Sequence, residues 1–222
     1  MASPEKNRFE LIDIVRGLAV FGMIIFHFFF DLTLFGYASF QIGKTLGWIV
    51  FNNIISSSFL LLVGYSMGLA DLSPKKFLKR IFRVGVCAAL LSVSTYFIYP
   101  NYWIYFGILH CIAVCMVITY PFARYPRHSL TMGILLLILF AFIWHDWVYW
   151  YHEHMIHTLD FQPIFPNIAF VFLGIYLSSK KLHLYYQVNF PGKTVFAMMG
   201  RHALIIYMIH QPLLYSLFYL AQ

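Results

Sequence analysis

Residues 11–31 read Leu11-Ile-Asp13-Ile-Val-Arg16-Gly-Leu-Ala-Val-Phe-Gly-Met-Ile-Ile-Phe-His27-Phe-Phe-Phe-Asp31, an apolar run interrupted only at Asp13, Arg16, His27 and Asp31. A helix needs roughly 20 apolar residues to cross the hydrocarbon core of a bilayer, and this stretch has that length. Comparable segments lie near 46–70, 80–99, 103–122, 129–149 and 194–220. A shorter one, 164–179, has Pro166 and Asn167 close to its start. Membrane strands would need alternating segments of about ten residues, whereas these runs are long and continuously apolar. The sequence predicts an all-α, polytopic integral membrane protein with about seven transmembrane helices.

Composition agrees. Hydrophobic residues make up 61% of the 222-residue chain and charged residues only 10%, with a mean hydropathy of +0.75. A soluble domain carries about 25% charged residues, so this chain lacks the charge to cover a surface facing water. Its 24 Phe, 16 Tyr and 5 Trp suit a lipid-facing surface bordered by aromatic belts.

The basic residues set the expected orientation. Lys6, Arg8 and Arg16 accompany the first span, and Lys75, Lys76, Lys79, Arg80 and Arg83 surround the start of the third. Arg124 and Arg127 follow the fourth; Lys180, Lys181 and Lys193 follow the sixth; Arg201 enters the seventh. Of the 15 Lys and Arg, only Lys44 falls on the other side, where Asp31, Asp146, Glu153 and Asp160 also lie. The amino terminus is expected in the cytoplasm and the carboxyl terminus outside. The formal charge of +7 is thus a topology signal spread over short loops, and nucleic acid is not an expected partner. The first apolar run is too long for a signal-peptide core and has no small-residue cleavage site behind it, so it should remain as an uncleaved helix. The three cysteines, Cys87, Cys111 and Cys115, lie within expected spans and read as buried thiols. Residues 1–222 form a single membrane domain.

An ionisable group in mid-bilayer costs at least about 2.5–3.5 kcal/mol on insertion scales, so each one needs a compensating role. Arg16 and His27 are close to three helical turns apart, on one face and roughly 16 Å apart along the axis. Asp31 sits one turn beyond, where its carboxylate could orient the imidazole. The structural alternative is interhelical bonding, with Arg16 reaching to the inner surface. The last span repeats the pattern in Arg201-His202-Ala-Leu-Ile-Ile-Tyr207-Met-Ile-His210-Gln211-Pro212, placing His210 near the depth of His27. Pro212 lacks an amide hydrogen, a common reason for a kink beside a site. His110 in the fourth span falls at a similar level, and separate interhelical hydrogen bonds are the competing explanation for it. Arg80 and Arg83, at i,i+3, suit bidentate binding of phosphate. His152, His154 and His157 in the outer loop do not match the helical His-Glu-x-x-His zinc spacing, and no metal is expected. Trp147, Tyr149, Trp150 and Tyr151 read as an interfacial belt that could also floor a sugar cleft.

Together these features resemble the transmembrane acyltransferase superfamily, which includes acyltransferase family 3 and bacterial relatives of heparan-α-glucosaminide N-acetyltransferase. The closest likeness is to small bacterial members of the second group. The residues carrying it are Leu11-Ile-Asp13-Ile-Val-Arg16-Gly17 through His27 and Asp31, Phe59-Leu-Leu-Leu-Val-Gly64-Tyr-Ser66, Arg80-x-x-Arg83, Phe106-Gly107-Ile-Leu-His110, and Gly200-Arg201 through Pro212. The resemblance implies transfer of an acyl group, acetyl in the first instance, from cytoplasmic acyl-CoA to a glycan, amino sugar or glycolipid outside a bacterial cytoplasmic membrane. It implies that His27, with Asp31, is catalytic and that Arg16, Arg80, Arg83 and Arg201 bind acetyl-CoA. His110, His210, Gln211 and Tyr207 would line the substrate cavity. Several superfamily members have ten or more spans, so this chain is either a minimal core or completes its cavity with a second copy. Two other classes use such residues: a proton-coupled transporter of a small anion, and a haem-binding membrane electron carrier with two of the histidines as axial ligands.

Overall fold

The computed structural model describes residues 10–42, 45–154, 158–186 and 188–221, with the side chains of 147–154 excepted. Lys6, Arg8, Lys44 and His157 lie outside these residues, as do the side chains of Trp147, Tyr149, Trp150, Tyr151, His152, Glu153 and His154. The described secondary structure is helical apart from one isolated bridge between Phe106 and Phe161. The helices are α1 (Glu10–Leu34), α2 (Leu46–Leu69), α3 (Pro74–Ile98), α4 (Ile108–Thr119, continued by a 3-10 turn, Tyr120–Phe122), α5 (Pro126–His154), α6 (Ile164–Ser179), α7 (Leu182–Tyr185), α8 (Lys193–Arg201) and α9 (Ala203–Leu220).

Five of them, α1, α2, α3, α5 and α9, are long and apolar enough to cross a membrane; α4 with its 3-10 turn and α6 are shorter apolar helices. Each expected span therefore has a helix, with three shifts of boundary. Pro at the first helical position starts α3 at Pro74, ahead of the expected residue 80. The apolar stretch 103–107 is extended rather than helical, because it bonds to a later loop. There Leu159 N–H donates to the Tyr102 carbonyl (2.9 Å) and Gln162 N–H to that of Phe106 (3.1 Å). The expected last span is divided at His202, whose backbone (φ −104°, ψ 17°) leaves the helical region between α8 and α9. Helix α9 continues through Pro212.

The chain forms two compact units, one made of Met1–Phe59 with Lys181–Gln222 and the other of Leu60–Lys180. In a bilayer no hydrophobic force drives helices together, so close backbone packing of small residues takes over. Each unit has such a crossing. In the first, α1 packs against α8. A Cβ on Gly17 would fall within 3 Å of the Phe196 carbonyl, and one on Gly200 within 3 Å of the Asp13 carbonyl. The two glycines thus admit each other's helix one turn apart. In the second unit Gly64 meets the Val171 carbonyl in the same way, and Gly174 meets that of Leu61.

The second unit also explains Phe106-Gly107-Ile-Leu-His110. The Asp160 carboxylate accepts the Ile108 N–H (3.0 Å) at the start of α4. Burial pushes this carboxyl above its ordinary range, while the Ile108 bond acts in the opposite sense. A side chain on Gly107 would collide with it.

Gly17→Ala and Gly200→Ala should each destabilise by about 1–3 kcal/mol, the usual cost of overpacking. Gly85→Ala meets open space and should be neutral or slightly stabilising. Thermal unfolding of the three variants in detergent, followed by size-exclusion, checks the ordering.

Candidate active site

Helix α1 turns one face inward through Gly17, Val20, Met23, His27 and Asp31, a three-and-four spacing. Val20 and Met23 pack with Ile55, with Met199, Ile206 and Tyr207 alongside. His27 and Asp31 continue this face toward the other end of the helix, where α1 meets α9. The His27 ring lies 4.9 Å from that of His210, centroid to centroid, at an interplanar angle of 62°. Phe26 and Phe30 flank it edge-on at 5.6 and 6.5 Å.

Asp31 is fully buried. Its Oδ1 accepts a hydrogen bond from Gln211 Nε2 (2.9 Å). It does not bond to His27, which corrects the expectation that its carboxylate orients that imidazole. A carboxamide donor on the facing helix takes the carboxylate, and the imidazole turns toward His210 instead. His210 is itself buried, with Nδ1 2.7 Å from the Tyr207 carbonyl. Tyr207 packs against it at 5.6 Å.

Four buried side-chain atoms among the described residues have no hydrogen-bond partner: His27 Nδ1, Asp31 Oδ2, His210 Nε2 and Gln211 Oε1. All four belong to this one cluster. Leaving a buried polar atom unpaired costs about 1–3 kcal/mol, and concentrating the penalty in one place is the mark of a site rather than of poor packing. The two imidazoles stand too close, edge to face, for a haem plane between them, so this pair is not an axial couple. A shallow apolar depression of about 400 Å³, lined by Ile25, Thr45, Gly47, Trp48 and Phe51, lies apart from the cluster.

At the opposite end of α1, Arg16 donates from Nη1 to Asp13 Oδ1 (2.9 Å) and, at 3.4 Å, to the Gly200 carbonyl. Lys193 lies 3.7 Å from Glu10. The contacts to Gly200 and Lys193 join α1 to α8 beside the glycine crossing. Arg201 is exposed and acts electrostatically on Asp13. The i,i+3 spacing of Asp13 and Arg16 was a readable sign of their ion pair.

His110, in the second unit, has both ring nitrogens engaged. Its Nδ1 accepts the Gly107 N–H (3.2 Å), so Nε2 carries the proton toward Ser92 Oγ (3.2 Å), which in turn donates to the Ile104 carbonyl (2.6 Å). Nothing in the sequence singles out Ser92 as its partner. Arg80 and Arg83 are exposed on the early turns of α3. Among the described residues no group of three or more His, Cys, Asp or Glu could hold a metal ion.

Residues 8–212 match the family model for the heparan-alpha-glucosaminide N-acetyltransferase catalytic domain. The chain belongs to that family. The match embraces all four cluster residues and the ion pair at the other end of α1. Membership makes the protein an acyltransferase-type enzyme, here on a scaffold of apolar helices. No curated protein and no solved structure matches the chain.

The Asp31–Gln211 bond should show strong non-additivity. Gln211→Leu, which strips a buried carboxylate of its donor, should destabilise by about 1–3 kcal/mol, whereas adding Asp31→Leu should recover part of that loss. Unfolding midpoints of the two single variants and the double variant in detergent check this.

Proposed function

We propose that this protein transfers an acyl group, acetyl in the first instance, from cytoplasmic acyl-CoA to an amine or hydroxyl of a glycan, amino sugar or glycolipid outside the cytoplasmic membrane of a bacterium. The observation that carries this is the cluster of His27, Asp31, His210 and Gln211, each with one buried polar atom that has no hydrogen-bond partner, in a chain of this family. On this proposal seven helices cross the bilayer, with the amino terminus inside and the carboxyl terminus outside. Arg16 then stands near the inner end of α1 and Arg201, the last residue of α8, just ahead of α9, with His27 in the outer half.

CoA is polyanionic and stays at the basic inner face, while its pantetheine arm is long and uncharged enough to reach inward. Arg80 and Arg83 hold its phosphates through charge-assisted hydrogen bonds. Arg16 and Arg201 add positive potential at the mouth, Arg16 while remaining tied to Asp13. His27 acts as general base. As the acceptor nitrogen or oxygen attacks the thioester carbonyl carbon, its proton passes to the imidazole. The new C–N or C–O bond forms, the C–S bond breaks, and the CoA thiolate leaves with a proton returned from the imidazolium. Buried Asp31, one turn away, favours the transient positive charge on the ring. Tyr207, His210 and Gln211 line the acceptor side.

His27→Ala should fold and bind acetyl-CoA yet transfer its acetyl group roughly 100- to 10,000-fold more slowly, the usual contribution of general acid–base catalysis. Asp31→Asn should lose less, since the base remains. Single-turnover transfer from labelled acetyl-CoA in proteoliposomes measures both, and transfer by His27→Ala at the wild-type rate would make the residue structural.

Replacing Arg80 and Arg83 together by Ala should weaken acetyl-CoA binding about 100-fold or more, given two charge-assisted contacts of about 1.5 kcal/mol or more each. The unfolding midpoint should not change. Equilibrium binding to the purified variant decides the assignment, and an unchanged affinity would remove the pair from the CoA site.

A further inference from the structure

His210 differs from its neighbours in the cluster because one of its ring nitrogens has a fixed role. The Tyr207 carbonyl can only accept, so Nδ1, 2.7 Å away, carries a proton. In the neutral ring Nε2 is then an acceptor. That atom is buried and has no partner. Nδ1 of His27 is likewise buried and unpartnered, on a ring 4.9 Å away. Two lone pairs directed at each other would repel, whereas a proton on His27 Nδ1 would let one hydrogen bond relieve both penalties. In this structure the two atoms are not bonded to each other, and the bond forms when the rings close on one another.

We propose that His210 is a positioning residue for His27: its Nε2 accepts the proton carried by His27 Nδ1, which fixes the His27 tautomer and leaves His27 Nε2 as the nitrogen that takes the acceptor's proton. This rests on His27 acting as the base. The Tyr207 carbonyl orients His210, His210 orients His27, and the chain of bonds ends at the reacting nitrogen. When His27 is protonated, the same bond to His210 stabilises the imidazolium and holds its ring in place for return of the proton to the thiolate. No net proton is consumed by the pair. Asp31 Oδ2 and Gln211 Oε1 are the other unpartnered acceptors in the cluster, and they are the alternatives the test must separate.

The test combines nitrogen NMR of protein carrying isotope-labelled histidine in lipid bilayers with single-turnover acetyl transfer. The His27 signals are identified by their loss in His27→Gln. In the wild type His27 should be the Nδ1–H tautomer. His210→Leu should abolish that preference and lower the transfer rate about 100-fold, within the range for general acid–base catalysis, while leaving acetyl-CoA affinity unchanged. His210→Gln, whose amide oxygen can accept in place of Nε2, should restore the tautomer and about tenfold or more of the lost rate. A Nε2–H tautomer in the wild type overturns the proposal. So does a Nδ1–H tautomer that persists in His210→Leu, which would pass the role to Asp31 or Gln211. An equal rate in the Leu and Gln variants also overturns it. A wild-type protein that transfers no acetyl group defeats the proposed function instead, and the spectra still decide the tautomer.

Discussion

The first unit depends on how closely the backbones of α1 and α8 approach. Hydrocarbon offers no hydrophobic penalty for keeping two helices apart, so contact must come from dispersion between well-fitted surfaces and from bonds between polar groups. Gly17 and Gly200 each remove the one atom that would hold the helices apart. Arg16, oriented by its ion pair with Asp13 on the same helix, reaches across this crossing to the Gly200 carbonyl. Helix α8 passes into α9 through His202, so the crossing also limits where α9 can lie. His27 and His210 meet because α1 is gripped some ten residues earlier.

Placement of costly groups runs in opposite directions at the two ends of α1. At the glycine end the charges are mutually satisfied, as Arg16 with Asp13 and Lys193 with Glu10. At the histidine end the groups are only half satisfied. Asp31 has one bonded oxygen and one free, Gln211 one bonded atom and one free, and His210 one engaged nitrogen and one free. The half that is bonded orients each side chain; the half that is free remains available for chemistry.

Much of this was legible in the sequence because apolar run length is a direct physical requirement of the bilayer. Each long run became a helix. The run at 103–107 did not, although it is apolar, because its backbone bonds to residues more than fifty positions later, which no local pattern reveals. The break at His202 was hidden for a similar reason, since α8 is held by packing on α1 rather than by its own composition. In the cluster, the matching positions of His27 and His210 could be counted from their distances along the chain to Arg16 and Arg201. The identity of Asp31's partner could not: Gln211 is 180 positions away, and His27 was the nearer candidate on the same helix. The capping role of Asp160 and the bond of His110 to Ser92 likewise depend on tertiary contacts alone.

The first unit is built from the two ends of the chain, Met1–Phe59 and Lys181–Gln222, with Leu60–Lys180 inserted between them. A ribosome therefore delivers α1 well before α8 and α9 exist. At about 5–20 residues per second, the inserted segment takes roughly 6–24 s to synthesise. Through that interval Asp31 has no Gln211, and Gly17 has no helix to receive. Nascent α1 must wait in the membrane or its insertion machinery with Asp13 and Arg16 paired to each other but Asp31 without its donor, while the second unit can already assemble. Assembly of the His27–Asp31–His210–Gln211 cluster is thus a late event, completed only when α9 leaves the ribosome.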